Sequence, residues 1–195
     1  MANISQKWLN ELEVFVPFTS NYAAKMYGSE LARIAKIPQK TASRRLNEYL
    51  KKNFIKSIQK GKNKLYYFNL KETKSITFIK IVEMYKSMKF FTENPKIGFL
   101  MEELAKNNPI ALFGSYAKGY ATKKSDIDLL IIGKKSNKIK KIIKRYPFKI
   151  NEHYSSYKNF KEMLKEKNAL AKEIEKNHIF FGEVDCFVNI IVRNS

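Results

Sequence analysis

From residue 110 onward, short apolar runs alternate with turn residues. Ile110-Ala111-Leu112-Phe113 ends at Gly114-Ser115, and Leu129-Leu130-Ile131-Ile132 ends at Gly133. Brief apolar runs bounded by turn signals predict buried strands. Further on, the pattern predicts a basic helix over 138–145, a strand over 148–154, helices over 156–165 and Ala169–Lys176, and a last apolar run, Ile179-Phe180-Phe181. Upstream, helical spacing dominates. Gly28-Ser29 caps a short helix over 30–36 whose Leu31, Ile34 and Ala35 share a face, and Ile37-Pro38 breaks it. A second helix over 39–52 puts Ala42, Leu46, Tyr49 and Leu50 on one stripe, opposite Lys40, Arg44, Asn47 and Lys51. Strand signals at 54–58 and 64–70 flank the Gly61-containing tip 59–63.

An amphipathic segment over 6–15, with Trp8, Leu9, Leu12 and Phe15 inward, precedes this module. Residues 73–92 predict a long helix with apolar Ile76, Ile79, Val82, Met84, Tyr85 and Met88. That sector is wider than one contact stripe, as in a connector or a homodimer seam. Asn94-Pro95 opens a further helix to about Lys106, and Asn108-Pro109 ends it. The resulting division is 1–72, connecting helices over 73–107, and 108–195.

Charge adds a partner to this outline. The net +20 is concentrated: residues 33–64 hold eleven Lys or Arg against Glu48 alone, and residues 110–151 hold eleven against Asp126 and Asp128. Residues 152–195 balance seven against seven. Two separate basic segments each call for a polyanion. The single Cys186 forms no internal disulfide, and no apolar stretch approaches the ~20 residues that span a bilayer. The expectation is a cytoplasmic protein without a membrane partner.

Candidate chemistry centres on Gly114-Ser115, ten intervening residues, and Asp126-Ile127-Asp128. A strand running into a Gly-Ser turn and a short helix offers unpaired N–H groups to phosphates. Strand alternation points Asp126 and Asp128 to one side, where two carboxylates can hold Mg²⁺ against a triphosphate. These residues resemble the nucleotidyltransferase superfamily of DNA polymerase β, in particular its minimal nucleotidyltransferase branch, whose signature G-S-x10-D-x-D is met at every fixed position. The resemblance implies an α+β chain whose C-terminal half is a small mixed sheet flanked by helices. It implies an enzyme that transfers NMP, AMP in the first instance, from Mg-NTP to a hydroxyl on a partner protein, as in antitoxins that modify a toxin. Gly114, Ser115 and Lys118 would bind nucleotide, with Lys123 and Lys124 nearby, and Asp126 and Asp128 the metal.

Residues 28–70 are similar to the winged helix-turn-helix of many prokaryotic DNA-binding regulators. That likeness implies duplex DNA as partner, with the second helix in the major groove and the hairpin at the backbone. Lys40, Arg44, Lys51, Lys60 and Lys62 are the implied contacts, and Thr41 and Asn47 the residues in reach of base edges.

One departure keeps two readings open. Catalytic members place a third carboxylate on a later strand, facing the first two. Here alternation over 148–154 shows Lys149, Asn151 and His153 on the polar face and leaves Glu152, the one nearby carboxylate, on the other side unless a bulge turns it. The alternative to a transferase is therefore a transcriptional regulator whose nucleotidyltransferase domain senses nucleotide or a partner without turnover.

Overall fold

The computed structural model describes residues 11–194. They form two compact units, one ending at Tyr85 and one running from Lys86 to Asn194. The first unit opens with a 3-10 helix, Leu12–Ser20, followed by β1 (Met26–Tyr27), α1 (Gly28–Ile34), α2 (Gln39–Lys51), β2 (Lys56–Lys60) and β3 (Asn63–Tyr67). A long helix, α3 (Thr73–Glu93), runs from the first unit into the second. Trp8 and Leu9 lie outside the described residues; Leu12 and Phe15 of the same predicted segment are buried.

Burial in the first unit follows the predicted stripe of α2 but not that of α1, where Ile34 is exposed and Ala32 is buried beside Leu31. Ala42, Leu46 and Tyr49 of α2 face inward with Leu31 of α1. Phe15 and Phe78 pack on Tyr49 with ring centroids 4.7 and 4.9 Å away. Such aromatic groupings contribute beyond the area they bury. The three strands form an antiparallel sheet in the order β1-β3-β2. The strands of the hairpin are shifted from the predicted 54–58 and 64–70. The hairpin ladder continues to the pair Lys60 and Asn63, so the turn is only Gly61-Lys62, with Gly61 at φ 58°. The two-residue β1 is absent from the sequence reading, because Met26-Tyr27 is too short to carry an alternation.

The second unit continues with α4 (Pro95–Ala105), β4 (Ile110–Phe113), α5 (Gly114–Lys118), β5 (Ile127–Ile132), α6 (Asn137–Ile143), β6 (Ile150–Ser155), α7 (Tyr157–Lys165), α8 (Ala169–Lys176), β7 (Ile179–Phe181) and α9 (Val184–Val192). Pro95 starts α4, where its missing N–H costs nothing. Ser136, Ser156 and Asn168 cap α6, α7 and α8 by accepting from the N–H groups of Ile139, Asn159 and Leu170. The sheet order is β6-β5-β4-β7, with β5 parallel to β6 and the other neighbours antiparallel. This is a mixed α+β unit. Its core joins Leu100, Met101 and Leu104 of α4 to Leu112, Ile127, Leu129, Ile131 and Phe181 of the sheet, and to Ile139 and Ile142 of α6.

Central position in that sheet makes Leu112 a test of the core. Leu112→Ala leaves a cavity under both neighbouring strands and is expected to destabilise the second unit by about 2–5 kcal/mol. Urea unfolding followed by circular dichroism measures this, and a loss under about 1 kcal/mol would show that the site is not close-packed.

Candidate functional site

Pairing of β4, β5 and β6 assembles the site. Phe113 at the end of β4 pairs with Asp128 on β5, and Asp128 pairs in turn with Asn151 on β6. Gly114 follows with φ 70°, a left-handed conformation that favours glycine, and a Cβ at that position would overlap the Asp128 carboxylate. Glycine thus lets the backbone of the turn approach the carboxylate directly. Ile127, between the two aspartates, is fully buried and holds them both on the other side of the strand.

The structure brings Asp126, Asp128 and Gly114 together, with Ser115 next in the chain in α5. It adds two residues that the motif does not contain. Asn151 Nδ2 donates to Asp128 Oδ1 at 3.0 Å and to Asp126 Oδ2 at 3.3 Å, so one amide bridges both carboxylates. Lys149 Nζ donates to the same Asp126 Oδ2 at 2.7 Å. Alternation already places Lys149 and Asn151 on the polar face of their strand. The pairing of Asn151 with Asp128 depends on the parallel register of β5 and β6, which has no local signature in either segment.

Glu152 is not brought to the pair. It pairs with Leu129 in the ladder, one step out of phase with Asp128, and its carboxylate binds Lys135 at 2.5 Å. No bulge interrupts β6 to turn it, and the side chain that faces the aspartates is Asn151. Glu152 as a catalytic carboxylate is therefore corrected: strand period puts it on the opposite face. Lys118 is directed to Glu173 of α8, with Nζ 2.8 Å from Oε1. Its ammonium is held on a carboxylate rather than aimed at the aspartates. Lys123 and Lys124 are exposed in the loop before β5.

The two histidines and the cysteine have structural surroundings. His178 is buried, with Nδ1 2.6 Å from the Ile174 carbonyl and its ring stacked on Phe180. His153 is exposed and lies against the ring of Phe113. Cys186 is partly exposed on α9, and desolvation and Asp185 push its thiol pKa up. A raised pKa keeps it protonated and unreactive.

In the first unit, Lys40, Arg44, Asn47 and Lys51 share the exposed face of α2, while Thr41 is half-buried. Arg44 also binds Glu48 one turn on, at 2.7 Å. Lys60 and Lys62 are exposed at the hairpin tip.

Electrostatics at the aspartate pair are set by Lys149. Its hydrogen bond is the largest cause holding Asp126 below the usual carboxylate pKa, with Asn151 adding to it, and Asp126 in turn raises Lys149. The lysine side chain is 76% exposed, so this pair contributes little to stability, yet it keeps a cation on the carboxylate. For Mg²⁺ the donor set fits one ion held by the two carboxylates and by substrate phosphates, with the Gly114 turn beside the Asp128 carboxylate. It does not fit two ions. Among the described residues no cluster of three or more His, Cys, Asp or Glu could hold a metal, and the third position is an amide.

Residues 100–181, somewhat under half of the chain, match the family model of the nucleotidyltransferase domain. This supports the nucleotidyltransferase superfamily for that segment and, in general terms, NMP transfer from an NTP. The match spans β4 through β7 and so contains both half-motifs and Asn151. No curated protein and no solved structure matches the chain. Among the described residues, no helix is long and apolar enough to cross a membrane.

Because Asp126 is held below the usual carboxylate range, it stays charged at pH values where an ordinary carboxylate protonates. Its stabilising pair with Lys149 is present above the ordinary carboxylate pKa and is lost as pH falls through the lowered value. Lys149→Met should move the Asp126 titration upward, read by carboxyl ¹³C NMR on metal-free protein. An unchanged midpoint would contradict the assignment of Lys149 as the main cause.

Proposed function

We propose that the second unit binds an NTP through the Gly114-Ser115 turn, with Mg²⁺ held by Asp126 and Asp128, and transfers NMP to a hydroxyl on a partner. The observation that carries this is the approach of the Gly114 backbone to the Asp128 carboxylate, which puts phosphate donors and metal ligands side by side. Mg²⁺, when bound, supplies charge neutralisation and polarisation of the phosphates. The N–H groups of the turn orient the triphosphate. The acceptor oxygen attacks the α-phosphorus as the bond to the leaving pyrophosphate breaks, and the acceptor proton passes to solvent, because Asn151 stands where a carboxylate would take it. Lys149 supplies an ammonium that can move from Asp126 to phosphate charge when nucleotide enters.

A second reading has its own observation. Asn151 and Lys149 together occupy the aspartate pair with donors, an arrangement suited to holding a nucleotide without rapid turnover. In that reading the domain senses nucleotide. In both, the first unit is a winged helix that binds duplex DNA. Its support is the element order α1, α2 and the β2-β3 hairpin, joined with the exposed row Lys40, Arg44, Asn47 and Lys51.

Incubation with α-labelled NTP, Mg²⁺ and cell extract separates the readings. Transfer predicts a labelled acceptor that disappears when Asp126→Asn and Asp128→Asn are combined, while Glu152→Gln changes the rate less than about twofold. Asn151→Asp should raise the rate on the order of tenfold or more, since a positioned base contributes at least that much. Nucleotide-dependent thermal stabilisation without label in any acceptor would replace transfer by sensing. Stabilisation that persists in the double aspartate variant would contradict the metal assignment.

For the first unit, Lys40→Ala with Arg44→Ala is expected to weaken duplex binding by about 1–3 kcal/mol. Fluorescence anisotropy measures it. Wild-type affinity in the double variant would exclude docking through α2.

A further inference from the structure

Eight basic residues and no acidic one lie between Lys134 and Lys149. Helix α6 sorts them by face. Ile139 and Ile142 are buried against the core, so the lysines of the helix are left outside. Lys138, Lys141 and Arg145, spaced i, i+3 and i+7, follow one side of the helix and its last turn over about 10 Å. That row lines one wall of an open cleft of about 660 Å³ between α4 and α6, and Lys106 lines the facing wall.

One anion, Glu103, also lines the cleft, and it is already engaged. Arg145 binds its Oε1 at 2.5 Å, and the Tyr146 hydroxyl donates to its Oε2 at 3.1 Å. Lys138 donates to the Asn107 side chain, which leaves its charge unbalanced. Lys106 and Lys141 have no ion pair among the described residues. Four cations around one satisfied carboxylate leave a net charge of three facing the cleft. Beyond its Arg145 end, the Tyr146 ring stacks on Phe148 with an interplanar angle of 17° and a centroid distance of 6.5 Å.

We propose that this cleft binds the sugar-phosphate backbone of a single-stranded nucleic acid. A cationic row tracks successive phosphates, and an aromatic platform beside it accepts an unstacked base. A duplex keeps its bases paired and offers nothing to that platform, so the cleft favours the single strand. The site is separate from the Asp126 and Asp128 pair and does not rest on nucleotide transfer.

The test uses the full chain carrying Lys40→Ala and Arg44→Ala, without NTP or Mg²⁺, and a fluorescein-labelled oligonucleotide of mixed sequence, single-stranded or annealed to its complement. Adding Lys138→Gln and Lys141→Gln removes two phosphate contacts. At about 0.15 M salt, the single-strand affinity should fall on the order of tenfold, and the log-log salt slope should shrink by about 1.4. All four positions are exposed, so folding is not at issue. Lys165→Gln with Lys172→Gln removes the same charge from the exposed faces of α7 and α8, and should leave the affinity unchanged. Equal loss in that control pair, no loss in the cleft variant, or a duplex affinity that falls as far as the single-strand affinity when the cleft pair is added would each overturn the proposal. Every arm shares the same background, so a failure of duplex recognition by α2 leaves the comparison intact.

Discussion

The candidate site depends on the contact between the Gly114 backbone and the Asp128 carboxylate. Residues 110–113 pair antiparallel with β5, which delivers the chain to Asp128 at the point where it must turn. With φ 70° and no room for a Cβ, only glycine makes that turn without strain or displacement of the carboxylate. Every other feature of the site is referred to this one. Ile127 fixes the side on which the aspartates emerge, and the β5-β6 register fixes which residue of β6 meets them.

What meets them is an amide and an ammonium. Two carboxylates on one strand face repel each other, and Asn151 relieves this by donating to both while Lys149 neutralises Asp126. The same two side chains shape the chemistry proposed for the site. A third carboxylate would add a metal ligand and a base, whereas an amide adds neither charge nor proton affinity at neutral pH. An amide in that position leaves the site two carboxylates and no base of its own on β6.

Much of this is legible in the sequence, for identifiable reasons. The β4 and β5 runs are short, continuous and bounded by glycine, so burial and length agree on strands. Asp126 and Asp128 share a face because the strand period is two, and the same rule sets Glu152 apart from them. What is not legible is non-local. The bridge from Asn151 to both aspartates needs the register of two strands separated by α6, and the pairing of Lys118 with Glu173 joins residues far apart in the chain. The sequence makes the hairpin turn too long because Gln59, Lys60 and Asn63 are polar, and polar residues look like loop until a partner strand fixes them. The basic excess over 110–151 is visible as a sum, but its division between the aspartate site and the α4-α6 cleft requires knowing which face of α6 is buried.

In the proposed reading, the Gly114 turn and the two aspartates form a single site for one divalent ion and one nucleotide. Manganese titration followed by electron paramagnetic resonance, with a non-hydrolysable NTP present, tests it most directly. One Mn²⁺ bound per chain, dependent on nucleotide and lost in Asp128→Asn, is the expected result. Stoichiometric binding that survives Asp128→Asn, or nucleotide bound equally well without any divalent ion, would contradict it.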